Sequence, residues 1–339
     1  MPVFTHVLVV GAGSWGTALA NLLAAKGVAT TIWAREPDVV ASINTRRENS
    51  MFLPGIRLHE SLRAVADLSL AISEFPVIVN AVPTQFIRTT YEPLRERVAS
   101  QLLVTVSKGI EVGTLLTPSE IFAEVVPDAA AAITALSGPS FAREVAVEHP
   151  TAVVAASRSA DNSRLVRDLC ATPRFRVYSS DDVLSVELGG ALKNVIAIAA
   201  GIVEGLRYGS NTMAALITRG LAEITRLGVA RGGNPLTFAG LSGMGDLVLT
   251  CTGALSRNRT VGVQLGRGKK LDEIVGEMNM VAEGVKTTQA VHALAQQLGV
   301  EMPIADQVYA VLYEAKEPEA VATELMTRRL RDEREIDGR

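Results

Sequence analysis

THVLVVGAGSWGTALANLLAAKGVATTIWA, residues 5–34, carries the architecture of the first half of the chain. Thr5 to Val10 is a short Val-rich apolar run, which predicts a strand. Gly11-Ala12-Gly13-Ser14-Trp15-Gly16 follows at once. The next residues, TALANLLAAKG, carry apolar side chains at helical spacing and stop at Gly27. ATTIWA is then a β-branched second strand. Strand, glycine loop, helix and strand are the context in which G-x-G-x-x-G becomes a dinucleotide fingerprint. Gly11 permits the tight turn, Gly13 lets the backbone approach a pyrophosphate, and Gly16 lets the helix pack on the strand. The helix start offers amides to the phosphates. A glycine turn without a ligand is the plain alternative.

The end of the second strand bears on which nicotinamide cofactor binds, and it reads Trp33-Ala34-Arg35-Glu36. Arg35 can stack on adenine and pair with a 2′-phosphate, favouring NADP. Glu36, one place on, can instead reach the ribose hydroxyls, as in an NAD site. A solvated surface arginine competes with both. Further strands are expected at Pro76–Val82, Leu102–Val106, Ala132–Leu136, Ala152–Ala156 and Phe175–Tyr178. Their carboxyl ends lead into Pro83-Thr84-Gln85, Ser107-Lys108-Gly109 and Ser137-Gly138-Pro139-Ser140-Phe141-Ala142, where a doubly wound sheet faces its ligand. Lys108 alone would pass as an ordinary loop lysine.

The period then changes. DVLSVELGGALKNVIAIAAGIVEG, residues 182–205, reads as one helix in which Lys193 is the only charge between Glu187 and Glu204. A lysine among apolar residues is desolvated, which lowers its pKa unless an anion compensates. It can also snorkel outward or sit in a structural ion pair. Gly189 and Gly190 remove side chains one turn earlier, so a backbone or ligand can come close, and Asn194 adds an amide. Further helices are expected in residues 213–232, 271–279, 285–299 and 302–315, with no strand between them. Among them lies GLSGMGDLVLTCTGALSRNRTVG, in which Gly240, Gly243 and Gly245 surround Asp246 and Ser256-Arg257-Asn258 follow. A planar cation, an amide and a hydroxyl make a phosphate-binding set; a polar interhelical loop is the alternative. TRRLRDEREIDGR ends the chain as a frayed helix end or solvated tail. The expected fold class is therefore an α/β Rossmann-type dinucleotide-binding domain, residues 1–181, followed by an all-α C-terminal domain, residues 182–339.

The totals agree with a two-domain globular enzyme or binding protein. The chain has 339 residues, 48% hydrophobic and 20% charged, with a net charge of −3. That charge gives no electrostatic case for nucleic acid or an anionic membrane. Cys170 and Cys251 lie far apart and the four histidines include no H-E-x-x-H, so no metal site is expected. The start lacks a basic signal-peptide region, and the apolar run after Lys193 is too short to cross a bilayer. A cytoplasmic location follows as the expectation.

These residues together resemble the bacterial NAD(P)-dependent glycerol-3-phosphate dehydrogenases. The resemblance covers essentially the whole chain and is carried by GAGSWGTALA, NAVP, VSKGIE, LSGPSFARE, VELGGALKNVIAIAAGIVEGL, GSNTMAALITRGLAEITRLG, TFAGLSGMGDLVLTCTGALSRNRTVG and VAEGVKTT. It implies reversible hydride transfer between nicotinamide and dihydroxyacetone phosphate or sn-glycerol 3-phosphate, in a cleft between the two domains. It implies NADP or NAD as cofactor, a common homodimer, and a role in supplying the phospholipid glycerol backbone. Lys193 falls on the family's catalytic lysine and Lys108 on its second site lysine. Gly138, Ser140, Asn194, Asp246, Ser256, Arg257 and Asn258 fall on the substrate shell. Ser14, Trp15, Arg35, Pro83, Lys108, Ala142, Arg257, Val281 and Glu283 fall on cofactor contacts, beside Gly11, Gly13 and Gly16. Met213 and Gly253 stand where the family often has a basic and a small hydroxyl residue. Two rivals remain on the residues alone. A hydroxy-acid dehydrogenase would want a carboxylate-binding set in place of Ser256-Arg257-Asn258. A dinucleotide sensor would leave Lys193 and Asp246 unexplained.

Overall fold

A computed structural model describes residues 6–98, 101–278, 282–330 and 333. Thr5, the cofactor candidate Val281 and most of the charged end of the chain lie outside the described residues. Two compact units result: Met1–Ser107 with Pro118–Val183, and Lys108–Thr117 with Leu184–Arg339. Residues 108–117 thus lie inside 1–181 in sequence and pack with the second unit.

The first unit is built on one sheet. Its strands are β1 (His6–Val10), β2 (Ala29–Trp33), β3 (Arg63–Val65), β4 (Val77–Asn80), β5 (Leu102–Thr105), β6 (Thr134–Ser137), β7 (Thr151–Ala156) and β8 (Phe175–Ser180). Their order is β3-β2-β1-β4-β5-β6-β7-β8. Helices cover the sheet, so Val7, Leu8, Val9, Val10, Val77, Ile78 and Val79 have no exposed surface. Burial on both faces explains why these strands read as unbroken apolar runs instead of alternating ones. Each such side chain contributes about 1.5–3 kcal/mol.

All neighbours are parallel except β6 and β7, which run antiparallel with Leu136 opposite Ala155. A parallel return needs a covering crossover, and the link between these strands holds only the five-residue helix Ala142–Ala146. Strand β3 was not expected. It has three residues, too few to show a period, and its pairing with β2 (Ile32 beside Ala64) defines it.

Strand order reverses between β1 and β4, so their carboxyl ends flank the position where a doubly wound sheet binds ligands. The loops there are tied together. Asn80 Nδ2 donates to Ser107 Oγ at 2.8 Å, and that hydroxyl donates to the Val82 carbonyl at 2.5 Å.

The described residues of the second unit contain no strand. Its central element is the helix Val183–Gly205. By length and composition that helix could cross a membrane, contrary to what the run after Lys193 suggests alone, but 94% of its most apolar stretch is buried within the protein. Around it lie the helices Ser210–Ala230, Asp246–Thr252, Arg257–Gly266, Glu283–Leu298 and Pro303–Tyr313. A further helix, Pro318–Thr327, was not expected from the sequence.

Glycines bring backbones together at two places on the central helix. A Cβ on Gly201 would lie 2.0 Å from the Arg259 carbonyl oxygen, and one on Gly262 would lie 2.0 Å from that of Ile198. Helices Val183–Gly205 and Arg257–Gly266 therefore cross at backbone contact. One turn before Lys193, a Cβ on Gly189 would lie 2.8 Å from the Ser242 carbonyl oxygen. Ser242 belongs to a wide turn, Leu241–Gly245, closed by the Gly245 N–H donating to the Gly240 carbonyl at 3.1 Å. The next residue out of that turn is Asp246, which the glycine contact delivers beside the central helix.

Candidate active site

The glycine loop of the first unit carries two kinds of glycine. A Cβ on Gly11, at φ +111°, would meet the Ala81 backbone at 2.9 Å, and one on Gly16 would meet the Gly11 carbonyl at 2.0 Å. These two are required by the protein's own packing. Gly13 is different. It has an ordinary φ of −62° and a Cβ there would meet nothing within 4 Å. Neither strain nor packing explains its glycine, whereas a phosphate laid against the backbone does. Gly13 also precedes the helix Ser14–Ala25 without any side-chain cap or acidic residue in the first turn. The buried indole N–H of Trp15 has no hydrogen-bond partner among the described residues. The loop fits a dinucleotide phosphate on these observations.

Other first-unit candidates lie on the same carboxyl edge. Pro83 follows β4 and starts a short turn over Thr84–Phe86. Gly138, at φ +141°, follows β6, and Ser140 Oγ donates to its carbonyl at 2.9 Å. Ala142 opens the helix that follows. Arg35 is exposed and its guanidinium is held by Glu36 at 3.0 Å.

The second unit gathers the ionisable candidates. Lys193 is only 6% exposed and Asp246 1%. Lys193 Nζ donates to Asp246 Oδ1 and to Thr250 Oγ1, both at 2.7 Å. Lys108 Nζ donates to Asp246 Oδ2 at 2.6 Å. One carboxylate is therefore shared by two ammoniums, each on its own oxygen. Burial lowers the Lys193 pKa to about 8; Asp246 opposes the fall and the like charge of Lys108 adds to it. Burial pushes the Asp246 carboxyl up, and the two ammoniums reverse this to hold it below its ordinary range. The net sign at Lys193, which sequence leaves open, is thus downward. Desolvation wins because the single carboxylate is divided between two cations.

Thr250 was not foreseen. Its hydroxyl donates to the Asp246 carbonyl at 2.6 Å and accepts from Lys193, which fixes its direction. The signal was present as the i, i+4 spacing from Asp246 on one helix.

A second chain of amides lies beside these charges. Asn194 Nδ2 donates to the Lys108 carbonyl at 3.1 Å. Asn258 Nδ2 donates to Asn194 Oδ1 at 2.9 Å, and the Gly284 N–H donates to Asn258 Oδ1 at 3.0 Å. A Cβ on Gly284 would meet that oxygen at 2.7 Å, so this glycine too belongs to the cluster. Ser256 is engaged as a helix cap, its hydroxyl accepting from the Arg259 N–H at 3.2 Å. Arg257 is exposed at the start of the same helix. Crowding by protein lowers its pKa, and the Glu283 carboxylate opposes this.

Comparison with known proteins joins these observations. Residues 6–163 match the family model of the NAD-dependent glycerol-3-phosphate dehydrogenase N-terminus, and residues 182–323 match that of its C-terminus. The chain is 57% identical over 331 residues to a protein of Citrifermentans bemidjiense named glycerol-3-phosphate dehydrogenase (NAD(P)+), covering 96% of this chain and 98% of that one. It is 55% identical to a protein of the same name from Geobacter metallireducens, with the same coverage. The crystal structure of glycerol-3-phosphate dehydrogenase from Coxiella burnetii superposes with a TM-score of 0.91 at 39% identity, covering 96% of this chain and all of that one. A ketopantoate reductase from Ralstonia eutropha shares the fold alone, at 15% identity and a TM-score of 0.61. The chain therefore belongs to the NAD-dependent glycerol-3-phosphate dehydrogenase family.

Proposed function

We propose that this protein interconverts dihydroxyacetone phosphate and sn-glycerol 3-phosphate with NAD(P)H and NAD(P)+, using Lys193 as general acid and base. The observation that carries the proposal is the buried Lys193 ammonium bonded to Asp246 and Thr250. A proton donor with a pKa of about 8 is matched to work near neutrality. When bound, the nicotinamide supplies or accepts the hydride at C2. Gly11, Gly13, Ser14, Trp15 and Gly16 would hold the phosphates of the dinucleotide, Arg35 its adenosine end and Pro83 its nicotinamide end, with Ala142, Lys108, Arg257 and Glu283 as further contacts.

In the direction of reduction, Lys193 gives a proton to the oxygen on C2 as negative charge develops there. Lys108 adds a second positive charge for that oxygen, and a preorganised cation in a dry site is worth more than the same cation in water. Asp246 favours the charged form of Lys193 and aims both ammoniums. Arg257, with Asn258 and Asn194, binds the phosphate end, so that positioning supplies much of the rate. In oxidation, neutral Lys193 takes the proton back. We place the reaction in the cytoplasm, in a homodimer, as a source of the phospholipid glycerol backbone.

The test is an assay of the purified protein with dihydroxyacetone phosphate, following loss of reduced nicotinamide absorbance with NADPH and NADH in parallel. Turnover is expected with at least one, and Lys193→Ala is expected to abolish it while leaving cofactor affinity near normal. Cofactor binding without turnover in the wild-type protein would move the assignment to the hydroxy-acid rival or the sensor.

A further inference from the structure

Glu36 lies in the short segment between the end of β2 at Trp33 and the helix Pro37–Arg46. The Gly11 N–H donates to the Trp33 carbonyl at 3.1 Å, which ties the glycine loop to the strand end. Glu36 is the cap residue of the helix Pro37–Arg46, yet its side chain makes no capping bond. A carboxylate at a helix start is favoured by the free amides there. This carboxylate is turned the other way. Arg35 Nε at 3.2 Å and Nη2 at 3.0 Å both donate to the same Glu36 oxygen, Oε1. The Arg35 side chain is 79% exposed and that of Glu36 30%. Among the described residues, Glu36 is the side chain that holds the guanidinium there.

Such an exposed pair adds little to the fold. Its consequence lies in ligand binding. A 2′-phosphate on the adenosine ribose needs a guanidinium fork and is repelled by a carboxylate. A free 2′-hydroxyl is a donor that a carboxylate accepts. The same carboxylate therefore acts with opposite sign on the two cofactors, and it already occupies the donors that a phosphate would use.

We propose that Glu36 sets the balance between NADP and NAD by competing with the 2′-phosphate for the guanidinium of Arg35. The proposal rests on the cofactor assignment above and adds to it the residue that tunes the choice. Binding of NADP displaces Glu36 from Arg35, whereas binding of NAD leaves the pair in place with the carboxylate available to the ribose.

Equilibrium titration of the full chain with NADPH and with NADH, in the wild type, Glu36→Gln, Arg35→Ala and the double variant, tests this without any turnover. Glu36→Gln is expected to tighten NADPH by about threefold to tenfold, the range for release of an exposed ion pair plus a like charge. It is expected to leave NADH unchanged or weaker. The NADPH gain is expected to shrink in the Arg35→Ala background to the part that relief of like-charge repulsion supplies, and to shrink as salt is raised. An unchanged NADPH affinity in Glu36→Gln overturns the proposal. So does an equal gain for both cofactors, or a gain that is undiminished without Arg35. A wild-type protein that binds neither reduced cofactor would instead remove the cofactor assignment, a result distinct from all of these.

Discussion

Lys193 concentrates the energetic conflict of this protein in one atom. Its ammonium is buried beside a carboxylate that Lys108 also holds, so the compensation is shared between two cations. The result is a pKa lowered to about 8, and the sign of its consequences follows. The acid form, needed to protonate the product oxygen, is present below that value, so kcat for reduction falls as pH rises through about 8. The base form, needed for oxidation, appears above it, so the reverse rate rises over the same interval. Asp246→Asn removes the anion that favours the charged lysine. Its reduction limb is expected at lower pH than in the wild type, with weaker turnover and a less stable fold, because the buried Lys193 ammonium then loses its carboxylate. Lys108→Met removes the like charge and is expected to displace the limb the other way. Measuring kcat against pH for both variants checks the assignment; limbs that do not move, or that move together, would mean another group titrates.

At the level of elements, glycine decides which backbones may meet. Gly262 touches the Ile198 carbonyl, and an alanine there has no room. Gly262→Ala is expected to destabilise the protein by about 1–3 kcal/mol or more, as overpacking does, and a denaturant titration would read it. Gly13→Ala, with open space and an ordinary φ, is expected to leave that midpoint in place or raise it slightly, while weakening cofactor binding. Loss of stability in Gly13→Ala would show that its glycine serves packing. The same contrast explains what was legible in the sequence. The periodic elements, β1 with its glycine loop and helix above all, announced themselves because burial on both faces leaves a continuous apolar run. Gly189 announced a close approach, but not by which partner; the Ser242 backbone that fills it belongs to a segment more than fifty residues away in the chain. Strand β3 was illegible because pairing with β2, not its own composition, makes it a strand. The sharing of Asp246 between Lys108 and Lys193 was equally hidden, since it depends on where residues 108–117 pack.

That packing is the property of the whole molecule that no local pattern foretells. An apparent boundary near residue 181 follows from the change of period, and it ignores a ten-residue excursion. Residues Lys108–Thr117 leave the first unit after β5 and return to it at Pro118. The excursion is anchored by Ile110, which has no exposed surface and joins the core formed by the Lys193 helix and its neighbours, with Val112 and Leu115 packed against it. Its backbone is closed on itself by the Glu111 N–H donating to the Leu116 carbonyl at 2.9 Å and by Leu115 donating back to Glu111 at 3.0 Å. Three apolar anchors and a closed loop hold the Lys108 ammonium at a carboxylate that would otherwise be out of its reach in sequence. Ile110→Ala should therefore act on the second unit although the residue lies in the first half of the chain. The cavity it leaves is expected to cost about 2–5 kcal/mol. Native-state hydrogen exchange would place that loss: protection should fall in the helices Val183–Gly205 and Arg257–Gly266 and be kept in β1 and β4. The reduction limb of kcat should also move toward that of Lys108→Met, because a loosened excursion weakens the hold of Lys108 on Asp246. Equal loss of protection in the sheet and the helices would mean that the two units unfold as one, and the excursion would then have no separate energetic identity.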